Sequence, residues 1–185
     1  MMSLNQLSAT TALARMQTGE ISSEALLRAC LKRIDERDKD VRAWATLDRE
    51  GAIAAAREVD AARRPESCNI RPLLGIPIGV KDIIATANLP TEYNSPIYRG
   101  HHSGSDASVV ELLRKAGAIV LGKTQTVEFA AHGWPAPTRN PRELSRTPSG
   151  SSSGSAAAVA DFMRPQRSRQ QRRQETSDKI PRSTV

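Results

Sequence analysis

TPSGSSSGSAAAVA, residues 147–160, sets four serines (Ser149, Ser151, Ser152, Ser153) and two glycines (Gly150, Gly154) directly before Ser155 and an alanine-rich helix start. A helix opening under small residues leaves backbone N–H groups and hydroxyls free to face whatever lies above them. A flexible linker of similar composition would continue in low complexity. This run passes at once into SAAAVA instead. Upstream, GIPIGVKD places Lys81 at the end of a short apolar strand. A lysine there is either a snorkelling surface residue or a group with a task, because burial disfavours its charge. A neutral lysine beside a serine loop is the raw material for activating a hydroxyl without histidine.

Working outward, helical and strand patterns alternate, which argues for an α/β layer arrangement. Ser8 to about Thr18 reads as a helix with Gly19 at its exit. Ser22 can cap a second helix, on which Leu26, Leu27, Cys30, Leu31 and Ile34 share one face. VRAWATL (41–47) suits a strand, and a third helix covers about 50–63. After a turn-rich connection (64–73) come a strand over Gly75–Val80 and a helix over Asp106–Ala116 ending at Gly117. A strand over Ala118–Leu121, a short helix near Thr126–Ala131, a loop over 132–154 and a helix from about Ser155 complete the series.

Three stretches in order, LLGIPIGVKDIIATANLPTEYNSPIY (73–98), SDASVVELLRKAGAIVLGKTQTVEFA (105–130) and the serine–glycine run, resemble the amidase signature family of serine hydrolases. The resemblance covers residues 4 to about 163. It implies the N-terminal part of an α/β/α fold, helices around a mixed sheet, incomplete in this chain. It also implies a Ser–cisSer–Lys triad, in which Lys81 matches the lysine and Ser151 the bridging serine after a cis peptide bond. The implied activity is hydrolysis of a small-molecule amide through an acyl-enzyme, with no cofactor and no metal. The family's nucleophile is expected about two dozen residues after Ser151, in a glycine-rich segment that also forms the oxyanion hole. Here that position holds Glu175, Thr176 and Ser177 without glycines. Ser149 and Ser153 stand where glycine is usual in the family. The acyl group is not legible, because the family's substrate-determining segments lie mostly beyond residue 163.

After Met163 the character changes to RPQRSRQQRRQETSDKIPRSTV, which carries five of the chain's seven net positive charges. This segment has no aromatic residue and almost no aliphatic one, so it cannot offset its own ordering entropy. Residues 1–163 are thus read as the N-terminal part of an amidase domain, and 164–185 as a basic disordered tail unrelated to it. On this reading the chain is truncated before its nucleophile and inactive as written. A rival reading makes it a non-catalytic remnant that binds nucleic acid or another polyanion through Arg164, Arg167, Arg169, Arg172 and Arg173. Absent aromatics for base stacking weigh against that rival.

Composition, at 38% hydrophobic residues, suffices for a core built on Ala, Leu, Ile and Val. The N-terminus lacks the pattern of a secretory signal and no apolar run reaches membrane-span length. Cys30 and Cys68 form no CxxC, so both are expected as free thiols and the compartment as the cytoplasm. GAIVLGKT (117–124) matches the phosphate-loop pattern letter for letter. Its four intervening residues are apolar, however, so a buried strand is expected, with Gly117 as a helix C-cap and Lys123 as a strand-end lysine. His101 and His102 are adjacent, diverge, and have no ligand-spaced partner, which favours a solvated loop pair over a metal site. His132 and Asp82 are assigned structural roles.

Overall fold

The computed structural model describes residues 3–63, 71–131, 134–148 and 150–165. The first helix, α1 (Ala9–Gln17), starts where Ser8 Oγ accepts the Thr11 amide at 3.0 Å, and Gly19, at φ 74°, turns the chain away. The second, α2 (Ser23–Val41), is capped by Ser22 Oγ, which accepts the Ala25 amide at 3.0 Å. Its expected stripe of Leu26, Leu27, Cys30, Leu31 and Ile34 is buried throughout. Burial also pushes the Cys30 thiol up to about 12, which keeps it protonated.

The strand expected over 41–47 is shorter, and the difference has a local cause. Val41 still belongs to α2, and Arg42 takes a left-handed conformation (φ 53°) as its C-cap. Asp38 Oδ1 then accepts the Ala43 amide at 2.7 Å, so extension is delayed until β1 (Trp44–Leu47). Helix α3 (Arg49–Ala62) follows, capped by Asp48. Near its end Asp60 accepts the Ser23 and Glu24 amides at 2.8 and 2.9 Å, placing a carboxylate on the positive end of α2.

Strand β2 (Pro77–Lys81), helix α4 (Ser108–Lys115) and strand β3 (Ile119–Thr124) form a parallel crossover unit. Strand β3 is central, parallel to β2 on one side and antiparallel to β1 on the other. Every residue of β3 is buried, including Lys123 and Thr124. The fold is therefore a small mixed sheet flanked by helices. Two strands run further than their apolar letters suggest: β2 ends on Lys81 itself, and β3 continues through Gly122, Lys123 and Thr124. The helix expected near 126–131 is a 3-10 turn over Glu128–Ala130, broken by Phe129 at φ 49°. The final helix, α5 (Ser153–Ala160), begins two residues before Ser155. No helix among the described residues is long and apolar enough to cross a membrane.

The main core joins α2, α3, β1, β3 and α5 through Leu31, Ile34, Ala56, Trp44, Leu121 and Ala157, with Met163 beyond α5. Chain packing continues past α5: Met163 is fully buried and Pro165 is buried too. Residues 166–185, which carry most of the basic tail, lie outside the described residues. Asp161 anchors this end of the domain. It accepts from Arg33 Nη2 at 2.6 Å and Arg37 Nε at 3.0 Å, while Arg33 Nε donates to its carbonyl at 2.9 Å. Asp161→Ala takes the carboxylate from both arginines, though Arg33 keeps the residue-161 carbonyl and Arg37 the Pro141 carbonyl, and is expected to lower stability by about 1–3 kcal/mol. The check is a urea midpoint, in which an unchanged value would show the cluster to be only a solvated surface pair.

Candidate active site

The C-terminal ends of β2 and β3 carry Lys81 and Thr124 as register partners, and α5 starts directly over them. Crevices outside the carboxyl ends of parallel strands are where open α/β sheets place their ligands. Gly150, at φ 72°, bends the serine loop toward the sheet. Lys81 Nζ then donates to Ser151 Oγ at 2.9 Å, across seventy residues of sequence. One helical turn on, Ser155 Oγ and Thr124 Oγ1 share a hydrogen bond of 2.7 Å. Two hydroxyls four residues apart thus tie the serine loop and α5 to the two strand ends. Burial lowers the Lys81 amine below the ordinary lysine value, which favours the neutral form a proton acceptor needs.

Gly154 makes this approach feasible. A Cβ there would press on the Ala43 carbonyl oxygen and the Gln125 amide nitrogen, both of them backbone. The Gly154 amide instead donates to the Gln125 carbonyl at 3.1 Å. Ser153, one residue before, is buried with no hydrogen-bond partner for its hydroxyl among the described residues.

The cis-serine geometry implied by the resemblance is not found. No described peptide bond is cis, so Ser151 follows Gly150 through a trans bond. The left-handed backbone of Gly150 supplies the turn that brings Ser151 to Lys81. Other sequence readings resolve on geometry. Gly117 (φ 93°) closes α4 and residues 119–124 form β3, so the phosphate-loop pattern is helix end plus strand. His101 packs among Tyr93 and Tyr98 at ring separations of 6.3 and 5.4 Å. No group of three or more His, Cys, Asp or Glu positioned to hold a metal ion exists among the described residues. His132 lies outside them.

Sequence reasoning missed two features next to the lysine. Lys123, read only as a strand-end lysine, is fully buried. Its ammonium donates to Thr91 Oγ1 at 2.6 Å, the Ile84 carbonyl at 2.7 Å and Thr86 Oγ1 at 3.3 Å, with Asp82 Oδ1 at 3.6 Å. Burial draws the Lys123 amine down and the Asp82 carboxyl up, and each charge opposes the other's shift. No local signal announces it: Asp82, Ile84, Thr86 and Thr91 lie in the loop after β2, more than thirty residues before Lys123. The second feature is an aromatic group of Tyr93, Tyr98 and Phe129 with ring separations of 5.0–5.9 Å. The Tyr93 amide donates to the Asp82 carbonyl and the Phe129 amide to the Tyr93 carbonyl, each at 3.0 Å. Both residues hold left-handed backbone, which no local sequence preference announces. A cavity of about 570 Å³ between α3, α4 and β3 lies elsewhere, and neither Lys81 nor Ser151 lines it.

Comparison with known proteins identifies the family. The family model described as Amidase matches residues 25–165. The A subunit of the glutamyl-tRNA(Gln) amidotransferase from Acidobacterium capsulatum is 42% identical over 156 residues, covering 80% of this chain and 32% of that protein. Its counterpart from Acidothermus cellulolyticus is 44% identical over 160 residues, covering 82% of this chain and 31% of that protein. The peptide amidase of Stenotrophomonas maltophilia superposes with a TM-score of 0.77 at 38% identity, covering 85% of this chain and 34% of that one. The chain spans about a third of the length of the relatives it matches. With its family match, its fold and the sequence of its serine–glycine run in agreement, this chain belongs to the amidase signature family.

Proposed function

We propose that residues 3–165 carry the lysine–serine part of a site for hydrolysing amide C–N bonds. The observation that carries this reading is the 2.9 Å contact from Lys81 Nζ to Ser151 Oγ at the carboxyl end of the sheet. In the proposed reaction an attacking hydroxyl gives its proton to Ser151 Oγ, whose own proton passes to the neutral Lys81 amine. The freed oxygen adds to the amide carbonyl, and the protonated lysine returns the proton through Ser151 to the departing nitrogen. The products are an acyl-enzyme and ammonia or an amine. Water, deprotonated by the same relay, then releases the carboxylic acid. The substrate is a small-molecule amide. The matched relatives bear the names of a peptide amidase and an amidotransferase component, which share chemistry at an amide nitrogen rather than one acyl group.

Within this reading the 185-residue chain supplies the relay without the attacking oxygen. The segment about two dozen residues beyond Ser151, Glu175, Thr176 and Ser177, has no flanking glycine to build an oxyanion hole. Purified 1–185 is therefore expected to release ammonia from a panel of aliphatic and aromatic amides no faster than its Lys81→Ala variant. Turnover well above that control would mean that a hydroxyl already present, such as Ser152 or Ser155, serves as nucleophile. Joining residues 1–162 to the remaining segment of the Acidobacterium capsulatum relative is expected to give turnover. Lys81→Ala should then reduce it ~100- to 10,000-fold, the usual worth of a general base. A folded, active chimera indifferent to Lys81 would overturn the proposed role.

A further inference from the structure

Two lysines end up on opposite faces of the same sheet end. Lys81 pairs in register with Thr124, and both side chains meet the serine loop and α5 through Ser151 and Ser155. Val80 pairs with Lys123, and strand alternation sends these two to the other face, where Val80 packs with Leu89 and Val110. Asp82, next after Lys81, falls on that same far face and is buried beside the Lys123 ammonium, 3.6 Å away.

Lys123 also closes the turn that follows Lys81. The Lys81 carbonyl accepts the Ile83 and Ile84 amides at 2.8 and 2.9 Å. The Ile84 carbonyl in turn accepts from Lys123 Nζ at 2.7 Å. The backbone of Lys81 is therefore held through one turn to a fully buried ammonium. That ammonium has Thr86 and Thr91 as further acceptors, so all three of its protons are engaged.

We propose that Lys123 is a positioning residue for Lys81: it holds the turn after β2 and balances the Asp82 charge, so that the Lys81 amine meets Ser151 without a neighbouring net charge. This deepens, and rests on, the reading of Lys81 as a proton acceptor. An uncompensated carboxylate one residue away would favour the lysine cation and oppose that role. Of the other carboxylates near this pair, Asp106 is paired with Arg114 at 2.8 Å, while Glu92 accepts the Gly100 amide at 2.7 Å and keeps its charge. Burial lowers the proton affinity of Lys81.

The test is the pH dependence of trace acetylation by acetic anhydride in the 185-residue chain, read at Lys81 by peptide mass spectrometry. Exposed Lys115 serves as the internal reference. The Lys81 midpoint is expected below that of Lys115. Asp82→Asn should lower it further, on the order of half a pH unit, because Lys123 then acts as an unmatched like charge. Lys123→Met should raise it, and the Asp82→Asn/Lys123→Met double variant should return it to the wild-type value. Simple loosening of the site would move every variant upward, toward an ordinary lysine. A rise or no change in Asp82→Asn, or failure of the double variant to return, overturns the proposal. Asp82→Asn alone decides if circular dichroism shows Lys123→Met to be unfolded. A wild-type midpoint equal to that of Lys115 would instead sink the reading of Lys81 as proton acceptor, whatever the variants do.

Discussion

Gly154→Val is expected to remove α5 from the sheet and leave the domain unfolded or nearly so. Even a single Cβ at this position would press on the Ala43 carbonyl oxygen and the Gln125 amide nitrogen, and it would lie 2.8 Å from the Gln125 carbonyl oxygen. Backbone atoms of β1's approach and of β3's exit cannot rotate aside as a side chain could. Against this, replacing a helical glycine gains at most about 1 kcal/mol of propensity. Overpacking of a close contact costs typically about 1–3 kcal/mol and more where nothing can yield. Lifting α5 also breaks the Ser155–Thr124 bond, the Lys81–Ser151 contact and the burial of Ala157 and Ala158. The net expectation is a loss of about 3 kcal/mol or more. A urea titration checks it, and a Gly154→Val protein with the wild-type midpoint would mean that α5 is free to shift outward.

Lys123→Met is expected to cost about 3–5 kcal/mol near neutral pH, since it leaves a buried carboxylate and three acceptors without their donor. The loss should depend on pH in a definite direction. Burial already raises the Asp82 carboxyl above its ordinary value, and Lys123 is the chief influence opposing that rise. Without the ammonium, the folded state keeps a proton that the unfolded chain releases near the ordinary aspartate value of about 4. More protons bound in the folded state means that stability falls as pH rises. The decline should begin near the unfolded value of about 4 and level off above the raised folded one. The variant should therefore lie closer to wild type in denaturation at acidic pH than at pH 8. Adding Asp82→Asn should recover most of the loss. A deficit independent of pH and untouched by the second substitution would mean that Lys123 acts through packing volume alone.

Neither the seat of Gly154 nor the burial of Lys123 is visible in the letters, whereas short-range signals are, because their causes are local. Ser8 and Ser22 cap α1 and α2, Gly19 and Gly117 close helices with left-handed backbone, and Leu26, Leu27, Cys30, Leu31 and Ile34 make one buried stripe. Each depends on atoms within a few residues, so residue type and spacing decide it. The pairing of Lys81 with the serine loop was also within reach, because both stretches stand in the family's order and only those positions match its motif.

What the letters left open depends on atoms far apart in the chain. Whether the strand after Leu121 continues is settled by Thr46 and Leu47 on one side and Val80 and Lys81 on the other, not by Gly122–Thr124 themselves. The resemblance implied a cis bond before Ser151, whereas the loop reaches Lys81 through the left-handed turn at Gly150. Lys123 read as a strand-end lysine without its environment, because the three acceptors that a buried ammonium requires come from a loop more than thirty residues earlier in the chain. The sequence by itself thus determined the capped helices, the family and the two side chains that meet. Tertiary structure alone decided how closely α5 seats on the sheet and which lysine is buried with a counter-charge. Both are questions of steric exclusion and dielectric environment, which exist only once distant segments share the same space.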